Sequence, residues 1–368
     1  MIAAVRRIWD NFRGGGEAAV TVPPMDGALR PNRRIEEAPA LVSIAVPDNL
    51  VASEAGCHFS SGGAVLSLDP ARGKTAELRR FAHDISALAL GPDGAMAVGL
   101  DGGGVVIIGG PHDGRMLKTL SGQPLTCPTA LLFAPDGDLL VALGSATRLP
   151  QDWKRDLMER AATGSVWRVD PATGVATLLA DRLAWPCGLA IAPDGAVAVS
   201  ESWRHRIVLI GGVPIHAVLD DLPGYPARLA PAAGGGYWLA VFAPRNQMIE
   251  FVLREPEFRT RMMDEIDPDY WVAPSLKASS TFLEPLQGGA QKHLGMLKPW
   301  APAMSAGLCV RLDRAFQPRF SLQSRADGGT HGITAVVEFG EQVFATAKGD
   351  GVVVALPLAD VDDRGGRA

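Results

Sequence analysis

The chain has 368 residues, with 35 lysines and arginines against 40 aspartates and glutamates, a net charge of -5. That balance excludes the basic stripe of a nucleic-acid binder and gives no reason to expect an anionic membrane surface as partner. With 47% hydrophobic and 20% charged residues there is ample material for a core, while 42 glycines, 28 prolines and only 6% aromatics suit many short strands joined by turns. The cysteines, Cys57, Cys127, Cys187 and Cys309, show no CxxC spacing. Neither a zinc site nor a disulfide framework is expected, only free thiols in a reducing cytoplasm.

Residues 1–16, MIAAVRRIWDNFRGGG, place Ile2, Val5, Ile8, Trp9 and Phe12 at helical spacing, with Arg6, Arg7 and Arg13 interrupting any apolar core. A short amphipathic helix is expected, not a signal peptide. Nowhere does an apolar run reach the ~18 residues that cross a bilayer. The expectation is a cytoplasmic protein with no membrane span. Residues 14–40, rich in Gly, Pro and charge, read as a linker or extended arm.

Beyond residue 40 the chain repeats itself. The stretches ALALGPDGAMAVGL (87–100), ALLFAPDGDLLVAL (130–143) and PCGLAIAPDGAVAVSES (186–202) share one form, two alternating apolar runs around Pro-Asp-Gly. Proline presets one turn dihedral and glycine accepts a positive φ, so each is a hairpin. Residues 47–70, 224–242 and 331–356 carry weaker copies with other turns. Outer strands follow, as in GSVWRVDPATGVATLLA (164–180). A unit of four short strands repeated six times predicts an all-β, six-bladed β-propeller. Two packed β-sandwiches are the alternative, but they lack this longer period. Asp101-Gly102-Gly103-Gly104 is a hairpin turn and not a phosphate loop, because no helix follows it.

Two stretches break the blade spacing. Residues 148–163 predict a helix from Gln151 onward, and 253–302 predict a helix ending near Asp267-Pro268, followed by a long irregular segment. These are short helical insertions on one face. The expected organisation is a helix and linker arm over 1–40, a propeller over 41–357 and a tail over 358–368. The insertion 253–302 is either a lid or binding loop, a surface for a protein partner, or a cap on a blade edge.

The runs WRVDPATGVATLLADRLAWPCGLAIAPDGAVAVSESWRHRIVLI (167–210), DDLPGYPARLAPAAGGGYWLAVF (220–242) and HGITAVVEFGEQVFATAKG (331–349) resemble the strictosidine synthase-like proteins, relatives in fold of the gluconolactonases and paraoxonases. The resemblance covers residues 40–357. It implies a site at the top of the central channel, and many members bind calcium there through side chains at the starts of inner strands. This chain departs at those positions. Where the family pattern reads Pro-Asn-Gly it has Pro186-Cys187-Gly188. Where the pattern reads Gly-Tyr-Pro-Asp-Asn it has Gly224-Tyr225-Pro226-Ala227-Arg228. Calcium takes six to eight hard oxygen ligands, and a thiol, a methyl group and a guanidinium supply none. Asp48 or Asn49, Asp84 and Thr129 remain as oxygen donors, so calcium is at most held by Asp48 and Asp84, and no cofactor is expected. Arg228 would instead bind an anionic group, or pair with Asp48 or Asp84 and plug the channel.

His83 and His331 stand at inner-strand starts, where each would act as general acid or base. His205 is expected at a strand-to-strand turn. Cys57 and His58 are adjacent in a strand and point to opposite faces, so they do not form a nucleophile–base pair. Glu201 is expected to bond a neighbouring blade. Tyr270, Trp271 and Trp300 would close over a ligand or anchor the insertion. No GxSxG elbow, HExxH helix or P-loop is present.

The expected function is that of a small-molecule enzyme at the channel mouth, a lactone or ester hydrolase, with Asp48, His83 and His331 catalytic and Arg228, Cys187, Thr129, Trp271 and Trp300 binding substrate. Strictosidine synthesis itself is not expected, because nothing here specifies its substrates. The alternative is a non-catalytic propeller, stripped of metal ligands, that binds a small anion or a protein.

Overall fold

The computed structural model describes residues 22–362 apart from 55, 212–213, 278–291, 294–295, 298–304 and 327. The helix expected over 1–16, Trp300 and the end of the tail lie outside the described residues. Six four-stranded antiparallel sheets form six blades of a propeller. Their inner strands are Pro47–Ser53, Ile85–Leu90, Pro128–Phe133, Pro186–Ile191, Gly224–Pro231 and Ile333–Phe339, in blades one to six.

The Pro-Asp-Gly turns fold as their chemistry demands. Gly195 has φ +86°, its N–H donates to Ala192 O at 2.9 Å, and Asp194 Oδ1 accepts the N–H of Ala196 at 3.1 Å. Gly137 repeats this at φ +93°, with Asp136 Oδ1 accepting from Asp138. An L side chain rarely adopts those dihedrals, so the glycines terminate the strands. Neighbouring blades pack face to face. Phe59 and Phe344, both fully buried, share one apolar cluster between blades one and six. Each such ring contributes roughly 1.5–3 kcal/mol.

The ring closes across the ends of the sequence. Blade six takes three strands from its own repeat, and its fourth, Ala40–Ser43, comes from ahead of blade one. Ala40 pairs with Val354 and Ser43 with Val352. Residues before that strand run along blade five. Ile35, fully buried, donates its N–H to Gln323 O, and the Asn32 side chain bonds Ser321 O and Gln323 N.

Helical insertions stand at the channel mouth. The first contains the helix Trp153–Glu159. The second is preceded by an unexpected helix, Gln247–Val252, capped by Asn246 accepting from Met248 N, and contains Pro256–Glu265, which proline opens. The latter ends just before the predicted Asp267-Pro268 boundary, and Asp267 caps a further short turn, Pro268–Tyr270. Among the described residues no helix is long and apolar enough to cross a membrane.

Candidate functional site

Every inner strand carries a bulge near its start. Pairing with the second strand skips Asn49 and Leu50 in blade one, Ser86 in blade two, Thr129 in blade three and Cys187 in blade four. It skips Ala227 and Arg228 in blade five and Thr334 in blade six. A bulge leaves a residue out of the ladder and re-aims its side chain. Six bulges at one level therefore set a ring of short polar side chains, plus one arginine, around the channel.

Arg228 spans that ring. Its Nη1 donates to Asp48 Oδ1 at 2.8 Å and to Thr334 O at 3.4 Å. Its Nη2 donates to Ser86 O at 2.8 Å and to Asn49 Oδ1. One guanidinium thus ties blade five to blades one, two and six. Lys348, just past the second strand of blade six, donates from Nζ to Asp48 Oδ2 at 2.8 Å. Burial opposes ionisation of Asp48, but the Arg228 and Lys348 charges outweigh it and hold the carboxyl at about 2.

Above the ring lies a cavity of about 230 Å³. Its apolar wall is Trp153, Trp185, Trp203 and Phe242, with Leu276 of the second insertion. The Trp185 and Trp203 rings stack at 5.3 Å, and Trp153 meets Phe242 edge-on at 5.5 Å. Asp156, in the first inserted helix, accepts the Trp203 indole N–H at 2.8 Å. Trp185 is positioned through its neighbour: Ala184 N donates to the fully buried Glu201 carboxylate, which also receives Arg204 and Arg206. Glu201 therefore pins the loop entering its own blade, not a neighbouring blade.

The polar wall faces blade two. Asp84, Ser86 and Asp101 line the cavity. Asp101 Oδ2 accepts Gln151 N at 3.2 Å, while Asp101 Oδ1 and Ser86 Oγ are buried without partners. Burial raises the Asp101 pKa, the Gln151 N–H opposes it, and the neighbouring Asp152 and Asp84 carboxylates raise it further. The Cys187 thiol is also pushed up by burial, against the pull of Arg228.

The expected site residues divide. Asp48, Asp84, Thr129, Cys187 and Arg228 come together on this cavity, and Arg228 pairs with Asp48. His83 is exposed and absent from the lining, which its neighbour Asp84 supplies. His331 is fully buried, with Nε2 2.8 Å from Arg325 O and its backbone N–H on Asp350. It too is absent from the lining. Trp271 is buried under the second insertion, donating to Ile266 O, and anchors that insertion. His205 caps the turn Ser202–Arg204 in left-handed geometry, at φ +52°. Lys348, Asp101, Ser86 and the aromatic wall carry no motif in the sequence. The bulge register, repeated blade by blade, is the signal that picks out Ser86 and Thr334.

These donors do not fit a calcium ion. Both Asp48 oxygens face cations, Asn49 Oδ1 is taken by Arg228, and Thr129 Oγ1 donates to Pro186 O. Cys187 offers sulfur, Ser86 Oγ is free in the ring, and Asp84, the other expected ligand, joins no group of three His, Cys, Asp or Glu side chains able to hold a metal among the described residues.

No family model matches the chain. Adipocyte plasma membrane-associated protein of Salmo salar is 25% identical over 273 residues, 64% of each chain. Strictosidine synthase-like 6 of Arabidopsis thaliana is 27% identical over 154 residues, 40% of this chain and 42% of the plant protein. The chain is a homologue of the strictosidine synthase-like proteins. It spans less than two thirds of the length of these curated relatives. The fold matches that of a gluconolactonase from Xanthomonas campestris, at a TM-score of 0.57 and 16% identity over 92% of this chain and 95% of the other. It also matches regucalcin, a calcium-binding protein from Agrobacterium tumefaciens, at 0.52 and 12% identity over 87% and 92%.

Proposed function

We propose that the channel mouth hydrolyses a small lactone or ester without a divalent cation. The observation that carries this reading is Asp101, a carboxylate of raised pKa with one buried, unpartnered oxygen, on the same cavity as the Lys348 ammonium. Asp101 removes a proton from water, and the oxygen attacks the carbonyl carbon. The carbonyl electrons move onto oxygen, where Lys348 and the Ser86 hydroxyl stabilise the charge. Collapse breaks the acyl C–O bond, and the departing alkoxide recovers the proton from Asp101. A lactone opens to a hydroxy acid. The apolar part of the substrate lies against Trp153, Trp185 and Trp203.

The test is a lactone and aryl-ester panel assayed in EDTA with wild type, Asp101→Asn and Lys348→Met. Turnover in EDTA that both variants reduce supports the reading. No turnover, or turnover that neither variant changes, overturns it.

A second reading is binding without turnover. It is supported by the absence of an activated nucleophile among the described ring residues: Asp48 is consumed by two cations, and burial keeps the Cys187 thiol protonated.

A further inference from the structure

We infer that Lys348 is the anchor for a carboxylate monoanion carrying an aromatic or apolar body, and that Arg228 and Lys348 together have taken over the electrostatic place of a divalent cation at the channel mouth. The two cations differ in what they have left to give. Arg228 makes four hydrogen bonds, to Asp48, Asn49, Ser86 O and Thr334 O, and its side chain is 16% exposed. It is a brace. Lys348 makes one, to Asp48 Oδ2. Its side chain is 33% exposed and lines the cavity. An ammonium has three donors, so two remain for a ligand.

Local charge points to the ligand class. Around Asp48, two cations on one carboxylate leave a local positive charge, which a carboxylate set against Lys348 neutralises and a metal ion would be repelled by. The surroundings decide the rest. Ser86, whose Oγ is buried without a partner, belongs to the same cavity lining. The stacked Trp185 and Trp203 give that cavity an apolar wall. Asp84 and Asp101 on the polar wall disfavour a dianion. The inference does not rest on hydrolysis: it concerns equilibrium binding, and holds for a catalytic or a non-catalytic protein.

The experiment compares phenylacetate with its neutral isostere phenylacetamide, by calorimetry and by quenching of tryptophan emission, with EDTA and with added calcium. Wild type is expected to prefer phenylacetate by about tenfold, the worth of one charge-assisted hydrogen bond, with calcium changing nothing. Lys348→Met should bind the two ligands equally, and Lys348→Arg should restore the preference. The inference is overturned if wild type binds both alike, if it binds neither, or if Lys348→Met keeps the preference. It is also overturned if terbium gives tryptophan-sensitised emission that Asp48→Asn abolishes, since the mouth would then hold a metal. The wild-type comparison needs no variant to fold.

Discussion

The indole N–H of Trp203 donates to Asp156 Oδ1 at 2.8 Å, so one face of the cavity hangs on a helix inserted into the previous blade. Asp156 is buried and its Oδ2 has no partner. Burial raises its pKa. An acid whose folded pKa is raised costs stability above that pKa and costs none below the unfolded one. Asp156→Asn keeps an acceptor for Trp203 and discards the buried charge, so it is expected to match or exceed wild type in urea unfolding at pH 8. Asp156→Ala loses the acceptor as well and is expected to cost about 1–3 kcal/mol. Equal losses in both would show that the charge, not the acceptor, matters.

Asp48 sets an acid limit. Its folded pKa of about 2 lies below the ordinary 3.8, so its stabilisation is fully present above pH ~5 and is lost as pH falls through 3.8 toward 2. The shift corresponds to about 2 kcal/mol. Glu250, held at about 2 by His205 and Arg245 against burial, adds to the same acid limb. Asp48→Asn is expected to cost about 3 kcal/mol at pH 7, because two cations lose their counterion, and to flatten that limb in thermal melts between pH 5 and 2.

For Asp101 the expectation is kinetic. If it is the base, kcat/KM rises with pH through a pKa above the ordinary 3.8, and Asp101→Asn lowers kcat by roughly 10²–10⁴. A pH–rate profile of both proteins reads this directly. An acid limb unchanged in the variant would remove Asp101 from the role.

The aromatic wall should govern binding more than chemistry. Trp203→Leu breaks the 5.3 Å stack on Trp185 and the bond to Asp156. It is expected to raise KM for aryl substrates about tenfold, the worth of one lost aromatic contact near 1.4 kcal/mol, with kcat changed far less. Loss of near-ultraviolet circular dichroism from the coupled indoles provides an independent readout.

Much of the scaffold was legible, because hairpin chemistry is local. Asp93, Asp136 and Asp194 mark turns whose glycines do take positive φ, and with the weaker copies at 47–70, 224–242 and 331–356 they give the blade count. Arg228 was legible in part: a fixed cation inside a channel needs an anion, and the sequence offered a ligand, Asp48 or Asp84, of which Asp48 is the ion-pair partner. Lys348 was not. It ends an ordinary alternating strand, and the partner that gives it meaning is 300 positions away in the chain. His83 was misplaced for the opposite reason: it stands beside a strand start, and nothing local in the sequence separates it from its neighbour Asp84, which does line the cavity. Trp153 opens the first inserted helix, Trp203 lies in the short turn Ser202–Arg204 and Trp185 precedes the inner strand of blade four. Helical spacing marks Trp153, but nothing local shows that the three share one wall, which the packing of blades three and four creates.

The strand Ala40–Ser43 also shapes how the molecule comes to exist. It is made before any blade, yet its ladder partner is Val352–Pro357, over 300 residues later. Until that last strand arrives, the ring stands open at the seam between blades six and one, where Phe59 and Phe344 meet. Contacts so distant in sequence form slowly, and Arg228 reaches across that seam from blade five to Asp48, so the floor of the cavity is complete only in a closed ring.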